Sequence, residues 1–351
     1  MHHTAMNSGV RRLIAEGTVI PAHPLALDAS RKLDTKHQRA LTRYYIDAGA
    51  GGLAVGVHTT QFAIRDVGLY KPVLELAAET ATAWTKRPLA LVAGLAGKTQ
   101  QAVAEAQTAR SIGYHAGLLS LAAMKSSAEA EILEHCRAVT KEIPLVGFYL
   151  QPAVGGVTLS SAFWRDFASI DNVVAIKVAP FNRYRTLDVL RGVAAAGALD
   201  RVALYTGNDD HILLDLTLPF DLRDRGVTTR AYFKGGLLGH WSVWTQAAIR
   251  QFEACKAARG RDSLPADLLA LDARVTDCNS AFFDVANNFH GCIAGCHEVL
   301  RRQGLLQGIW CLDPHEGLSD GQAAQIDRVC REHADLSDDA FVAANLERWL
   351  A

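Results

Sequence analysis

A lysine that directly follows a run of apolar residues is the first candidate for chemistry in this sequence. Lys177 ends the run that begins at residue 173, and such a run is typical of a strand buried on both faces. Partial removal from water at a strand end disfavours the charged form of lysine. If its pKa falls from about 10.4 toward ~7–8, the amine can attack a carbonyl carbon. The alternative is a solvated lysine just beyond a strand, which is the commoner case for an isolated lysine.

A tyrosine ends the preceding apolar run, 28 residues before Lys177. About one strand-helix repeat of a barrel separates equivalent positions on neighbouring strands, so the spacing predicts the phenol of Tyr149 beside the amine of Lys177. A phenol in that position can pass protons to and from the adduct of an amine with a carbonyl. Taken alone, Tyr149 reads as a tyrosine of the barrel rim.

Two polar turns follow other apolar runs. In residues 56–61, the backbone N–H groups and the side chains of His58, Thr59 and Thr60 suit a carboxylate, although an ordinary polar loop is the simpler interpretation. In residues 206–210, Gly207 permits a tight turn, and Asn208 and Asp209 are candidates to bind substrate. The alternative is that Asp209 or Asp210 caps the next helix.

Other cations lie close to these runs in the sequence. Arg183 and Arg185 follow Lys177 and are candidates for a second anionic group of the substrate, with solvated surface arginines as the alternative. Lys234 precedes two glycines near the end of the last predicted strand. We expect it to line the pocket, as the rival amine.

The elements that must position these residues are short apolar runs that alternate with helical stretches. The predicted strands cover residues 18–20, 53–57, 89–93, 116–119, 145–149, 173–176, 202–205 and, most weakly, 229–233. Thr99, Ser126 with Ser127, and Ser160 with Ser161 precede helical stretches as N-cap candidates. Eight strands predict a closed (β/α)8 TIM barrel, whose active sites lie at the carboxyl ends of the strands. An open doubly wound sheet is the alternative, but the first strand lacks a Gly-x-Gly-x-x-Gly turn.

The last third of the chain carries no strand pattern. We therefore predict a barrel with the active site in residues 1–255 and a helical region packed on it in residues 256–351, linked by the charged stretch 256–265. His290, Cys292, Cys296 and His297 fall in a helix-like stretch without a second ligand cluster, so we expect no metal site. No cofactor motif is recognised either.

Composition excludes some classes of partner. A formal charge of −1 over 351 residues argues against nucleic acid or an anionic membrane as the main partner. The amino-terminal residues lack the apolar segment of a signal peptide, and the seven cysteines form an odd number without framework spacing. These features predict a cytoplasmic protein with reduced thiols and a small-molecule substrate.

The lysine and tyrosine that end two apolar runs and the two polar turns occur in an order and spacing that resemble those of a known family. This is the dihydrodipicolinate synthase/N-acetylneuraminate lyase family of Schiff-base barrels, and the resemblance covers roughly residues 13–250. The matching segments are the turn at 57–61, Tyr149-x-x-Pro152, Ala175-Ile176-Lys177 and the turn at 207–210. The resemblance implies that Lys177 forms an imine with a pyruvate-type 2-oxo acid and that Tyr149 shuttles protons. It also implies that Thr59 and Thr60 hold the carboxylate, and that the protein is a homotetramer or homodimer.

The sequence departs from the family pattern at several positions. Residues 153–156 contain no arginine for a second carboxylate, and the tyrosine expected after strand four is absent from residues 119–122. The resemblance therefore implies a lyase or aldolase of the 2-oxo acid type other than dihydrodipicolinate synthase, with His58 as a possible replacement in the proton relay. A sugar-acid dehydratase and a catalytically silent barrel with a binding role are the alternatives.

Overall fold

Eight parallel strands form a barrel in the computed structural model of the protein, which describes residues 1–224 and 226–351. The strands in chain order are β1 (Val19–Pro21), β2 (Gly52–Val55), β3 (Ala90–Leu95), β4 (Ala116–Leu119), β5 (Leu145–Leu150), β6 (Val173–Ala179), β7 (Ala203–Thr206), β8 (Phe220–Asp224), β9 (Val227–Ala231) and β10 (Gly235–Leu238). All except β8 and β9 pair in parallel, in the order β1-β10-β7-β6-β5-β4-β3-β2. A bridge between Ala22 and Ala54 joins the first and last of these. The predicted (β/α)8 TIM barrel is confirmed.

The predicted eighth strand is wrong in its position. Residues 227–231 form β9, which pairs antiparallel with β8 in a separate hairpin, and the eighth barrel strand is β10. The predicted strand 229–233 contains β-branched and aromatic residues, whereas β10 begins with two glycines. A Cβ on Gly235 would lie 2.4 Å from the carbonyl oxygen of Thr18. Glycine is therefore required for the close approach of β10 to the start of β1.

Helices surround the barrel and extend it at both ends of the chain. They are α1 (Ser8–Glu16), α2 (Thr35–Ala48), α3 (Tyr70–Trp84), α4 (Thr99–Ile112), α5 (Glu129–Thr140), α6 (Ser161–Ala168), α7 (Arg183–Ala195), α8 (Ile212–Thr217), α9 (Thr245–Ala258), α10 (Ala266–Phe282), α11 (Cys292–Arg302), α12 (Gln322–Glu332) and α13 (Asp339–Leu350). Ser160 caps α6 through the N–H of Phe163, as predicted. Thr99 is instead the first residue of α4, and α5 begins without a side-chain cap.

Alternating strand residues divide the core into two parts. One part fills the barrel interior and includes Phe148 and Ala175, whereas the other lies between strands and helices and includes Tyr149 and Ile176. Side chains of a strand alternate between its two faces, so neighbouring residues enter different parts of the core. Helix α1 packs Val10 into the interior part.

The helices after α9 pack on the barrel, and the predicted C-terminal helical region is confirmed. The Tyr44 hydroxyl of α2 donates a 2.7 Å hydrogen bond to Asp338, just before α13. The Asp272 carboxylate of α10 accepts from the N–H groups of Leu213 and Leu214 at the start of α8, where a negative charge is favoured. Within the described part of the chain, no helix combines the length and the apolar character needed to cross a membrane.

Candidate active site

A cavity of about 60 Å³ lies at the carboxyl ends of the barrel strands, the end at which barrel enzymes build their sites. Its polar lining residues lie at or just beyond the carboxyl ends of four strands, β2, β5, β6 and β7: His58, Thr59, Gln151, Lys177 and Asp209. Its apolar lining comes mainly from β4, β5, the following turn and two loops beyond: Leu118, Phe148, Leu150, Val154, Phe181, Phe283 and Phe289.

Lys177 extends from β6 into this cavity. Burial lowers the pKa of its amine to about 8, although the negative charge of Asp209 acts in the opposite direction. The nitrogen lies 4.6 Å from the centre of the Phe148 ring. Gly207 leaves room for the lysine side chain, because a Cβ there would approach Lys177 Cε to 2.6 Å. The position therefore provides a lysine that loses its proton near neutral pH.

Asp209 faces Lys177 from the turn after β7. Burial raises the pKa of its carboxyl group to about 7, against the opposing effects of the Lys177 charge and of a backbone hydrogen bond. That bond comes from the N–H of His240 to Oδ1, at 3.1 Å. An acid with a raised pKa and an amine with a lowered pKa in one cavity can exchange a proton near neutral pH.

The turn after β2 places His58 and Thr59 in the cavity lining. Burial, with a smaller contribution from the charge of Lys177, lowers the pKa of His58 to about 4, so its imidazole is neutral at pH 7. The Thr59 hydroxyl is buried and has no hydrogen-bond partner among the described residues. A buried hydroxyl without a partner is costly unless a ligand completes it.

Thr60 and Asn208 support the site rather than line it. The Thr60 hydroxyl donates to the His23 carbonyl at 2.6 Å and accepts from the Gly56 N–H at 3.0 Å, which fixes the turn. The Asn208 side chain accepts from the N–H of Phe181 and donates to a carboxylate oxygen of Asp215.

Tyr149 is not in the cavity. Its side chain points outward against Trp164, with a ring-centroid distance of 5.1 Å. Its hydroxyl lies 3.3 Å from the Leu159 N–H. The register explains this position, because an irregularity near the start of β5 and β6 shifts the pairing by one residue. Phe148 therefore pairs with Lys177 and points inward, since a shift of one residue exchanges the two faces of a strand.

Two predicted cations also lie elsewhere. Arg183 forms an ion pair with Asp215 at the start of α7 and is not part of the lining. Lys234 precedes β10 and is hence at the amino-terminal end of the barrel, opposite the cavity. The different position of the eighth strand explains this: Lys234 follows the predicted strand 229–233 but precedes the actual strand β10.

Sequence reasoning missed the aromatic residues of the cavity mouth. Phe181 follows β6, and Phe289 precedes α11; their rings meet edge to face with centroids 5.9 Å apart. Both have a positive φ, 47° and 66° respectively, which is uncommon for a bulky residue and costs free energy. Phe283 and Cys292 of the C-terminal region complete the lining. No sequence signal connects the residues of the C-terminal region, Phe283, Phe289 and Cys292, to Lys177.

Other features of the described residues do not compete with this cavity. A larger one of about 530 Å³ lies at the opposite end, beside α1, and is lined by Arg11, Arg12 and Arg201. It contains no buried nucleophile, so its size does not indicate chemistry. In the described part of the chain, the one group of side chains with converging metal-ligand atoms is His2, His3 and Asp171, which is largely exposed.

The fold and the cavity together define a (β/α)8-barrel protein with a partly buried lysine near the carboxyl end of its sixth strand. The sequence model of the Dihydrodipicolinate synthetase family matches residues 16–221, and the chain belongs to that family. N-acetylneuraminate lyase 2 of Escherichia coli O6:H1 is 23% identical over 303 residues, which cover 84% of this chain and 87% of that protein.

Two solved structures share the fold. Dihydrodipicolinate synthase from Acinetobacter baumannii, complexed with pyruvate, has a TM-score of 0.72 at 18% identity and covers 91% of this chain and 99% of its own. YagE from Escherichia coli K12, also in complex with pyruvate, has a TM-score of 0.73 at 18% identity, and the match covers 90% of this chain and 98% of YagE.

Proposed function

We propose that this protein is a lyase or aldolase in which Lys177 forms a Schiff base with a 2-oxo acid, pyruvate in the first instance. The observation that carries the proposal is the Lys177 amine, which is partly buried, lines a cavity at the barrel mouth and has a lowered pKa. Family membership supports it, as does the pyruvate bound in two structures of the same fold.

The polar residues of the cavity have different roles in the proposed reaction. The neutral Lys177 amine attacks the keto carbon, and loss of water from the adduct gives the imine. The imine draws electrons from the bonds of the adjacent carbon. That adjacent carbon can therefore lose a proton and then form or break a carbon–carbon bond. Asp209 takes and returns protons in these steps, in the place that the sequence assigned to Tyr149. The Thr59 hydroxyl binds the carboxylate of the 2-oxo acid.

A catalytically silent barrel with a binding role is the second candidate. The observation in its favour is Phe148, which stands where the predicted phenol would face Lys177. This candidate predicts that the cavity binds a 2-oxo acid reversibly and forms no covalent bond with it.

The predicted homotetramer or homodimer is a separate proposal, which sedimentation analysis would test.

Borohydride trapping separates the two candidates. The protein is treated with pyruvate and sodium borohydride, digested, and analysed by mass spectrometry. We expect one adduct, on Lys177, and none in Lys177→Met. Lys234→Met removes a lysine from the opposite end of the barrel and should leave the adduct unchanged. An unmodified Lys177, with a panel of 2-oxo acids as well as pyruvate, would support the silent barrel.

A further inference from the structure

We infer that the second substrate of this site is an aldehyde with an apolar, aromatic group, rather than a sugar aldehyde or an aldehyde that carries a carboxylate. The inference rests on the proposed function, because it concerns the partner of the imine at Lys177. It follows from the residues that surround the cavity beyond the lysine.

The wall that β5 and its following turn provide is apolar apart from Gln151. Phe148 and Leu150 point inward from the strand, and Val154 follows in the turn. Leu118 of β4 continues the wall. Gln151 can bond one or two hydroxyl groups of a sugar, and the others would lose hydrogen bonds to water against such a surface without gaining new ones, which costs free energy for each group. An apolar group gains free energy on the same surface.

The charges of the cavity point the same way. Among the lining residues of the described chain, Lys177 is the one lysine or arginine, and the imine uses its nitrogen. Arg183, the nearest cation in the sequence, is paired with Asp215. A carboxylate on the second substrate would therefore be buried close to Asp209 without a partner, a strongly unfavourable position.

The aromatic pair at the mouth provides a place for a ring. Phe181 and Phe289 are partly exposed, whereas Phe148 below them is buried. Aromatic rings pack favourably against one another in edge-to-face or offset arrangements. The left-handed backbone at both mouth residues fixes their loops in a conformation that bulky side chains rarely adopt, which is typical of ligand-binding positions.

The reaction is an aldol addition with no net oxidation. The pyruvate enamine at Lys177 attacks the aldehyde carbon, and the new carbon–carbon bond forms as the carbonyl oxygen takes a proton. Water then hydrolyses the imine, which releases a 4-hydroxy-2-oxo acid and frees the lysine. The product contains all atoms of the two substrates, and the reverse sequence cleaves it.

The test compares three aldehydes with pyruvate: benzaldehyde, glyceraldehyde and succinate semialdehyde. We expect kcat/KM for benzaldehyde to exceed the other two by about tenfold or more, the discrimination that a hydrophobic pocket provides. Val154→Arg should move the preference toward succinate semialdehyde by a similar factor. Val67→Arg makes the same change at an exposed position and should leave the order unchanged. Phe289→Asn removes a mouth ring while tolerating positive φ, and should lower kcat/KM for benzaldehyde alone.

Trapping with pyruvate is repeated for each variant to separate the outcomes. If the adduct forms and glyceraldehyde or succinate semialdehyde is the preferred partner, the inference is overturned and the proposed function stands. The same holds if the adduct forms and none of the three aldehydes reacts. If no adduct forms with any 2-oxo acid, the proposed function falls and the inference falls with it.

Discussion

Replacing Lys177 by methionine should abolish activity and at the same time stabilise the fold. Methionine has a similar length but no charge to bury. A fall of the lysine pKa from 10.5 to about 8 corresponds to about 3 kcal/mol, at roughly 1.4 kcal/mol for each pH unit. That value already includes the attraction of Asp209. Loss of the contact with the Phe148 ring offsets about 0.5–1 kcal/mol, so we expect a net gain of about 2 kcal/mol at pH 7.

The size of this effect depends on pH in a way that urea unfolding can measure. Below the folded pKa of about 8, folding must bury an ammonium group or release its proton, so the wild type bears the full cost. As pH rises from 8 toward 10.5, the unfolded state also loses its proton and the cost disappears. The gain of Lys177→Met in unfolding free energy should therefore be largest at pH 7 and shrink to under about 1 kcal/mol at pH 10.

The opposite result would refute the reasoning about this lysine. If Lys177→Met destabilises the protein by an amount that does not change between pH 7 and pH 10, the amine is a well-solvated or well-paired cation. Such an amine would be a poor nucleophile near neutral pH. Lys234→Met is the control for the chemical change itself, and it should retain the pyruvate adduct.

Four further substitutions test the separate roles of the residues in and around the cavity. Tyr149→Phe should keep turnover within about twofold and cost about 1 kcal/mol in urea unfolding, because its hydroxyl bonds outside the cavity; a hundredfold loss of turnover would return the phenol to the mechanism. Asp209→Asn should lower turnover about 10²–10⁴-fold. In the wild type, kcat should fall as pH drops, because burial raises the pKa of Asp209 and a protonated carboxyl group cannot accept another proton; a profile that keeps this limb in Asp209→Asn would exclude the carboxylate. Thr60→Val should cost about 2 kcal/mol of stability through two lost hydrogen bonds, whereas Thr59→Val should mainly raise KM for pyruvate; equal effects on stability would contradict the separation.

The sequence alone determined the barrel and the position of its lysine. Near-continuous apolar runs that alternate with helical stretches leave few other folds, because strands of that composition must be buried on both faces. Lys177 stands near the end of such a run, so a closed barrel places it close to the mouth, whereas the face of the strand that it occupies depends on the register. The prediction of the eighth strand is wrong because β10 begins with glycines. These pack through the backbone, and hydrophobic periodicity does not detect them.

Only the tertiary structure decided which residues meet the lysine. The interval of 28 residues places Tyr149 beside Lys177 in a regular pairing, but one irregularity in the register brings Phe148 there instead. Local sequence does not reveal such a shift, because it depends on how two strands pair across space. Phe289 comes from a segment more than a hundred residues beyond Lys177, and nothing in its own neighbourhood indicates that contact. Periodicity reports which residues are buried, whereas the register and the packing of distant loops decide which of them share a cavity.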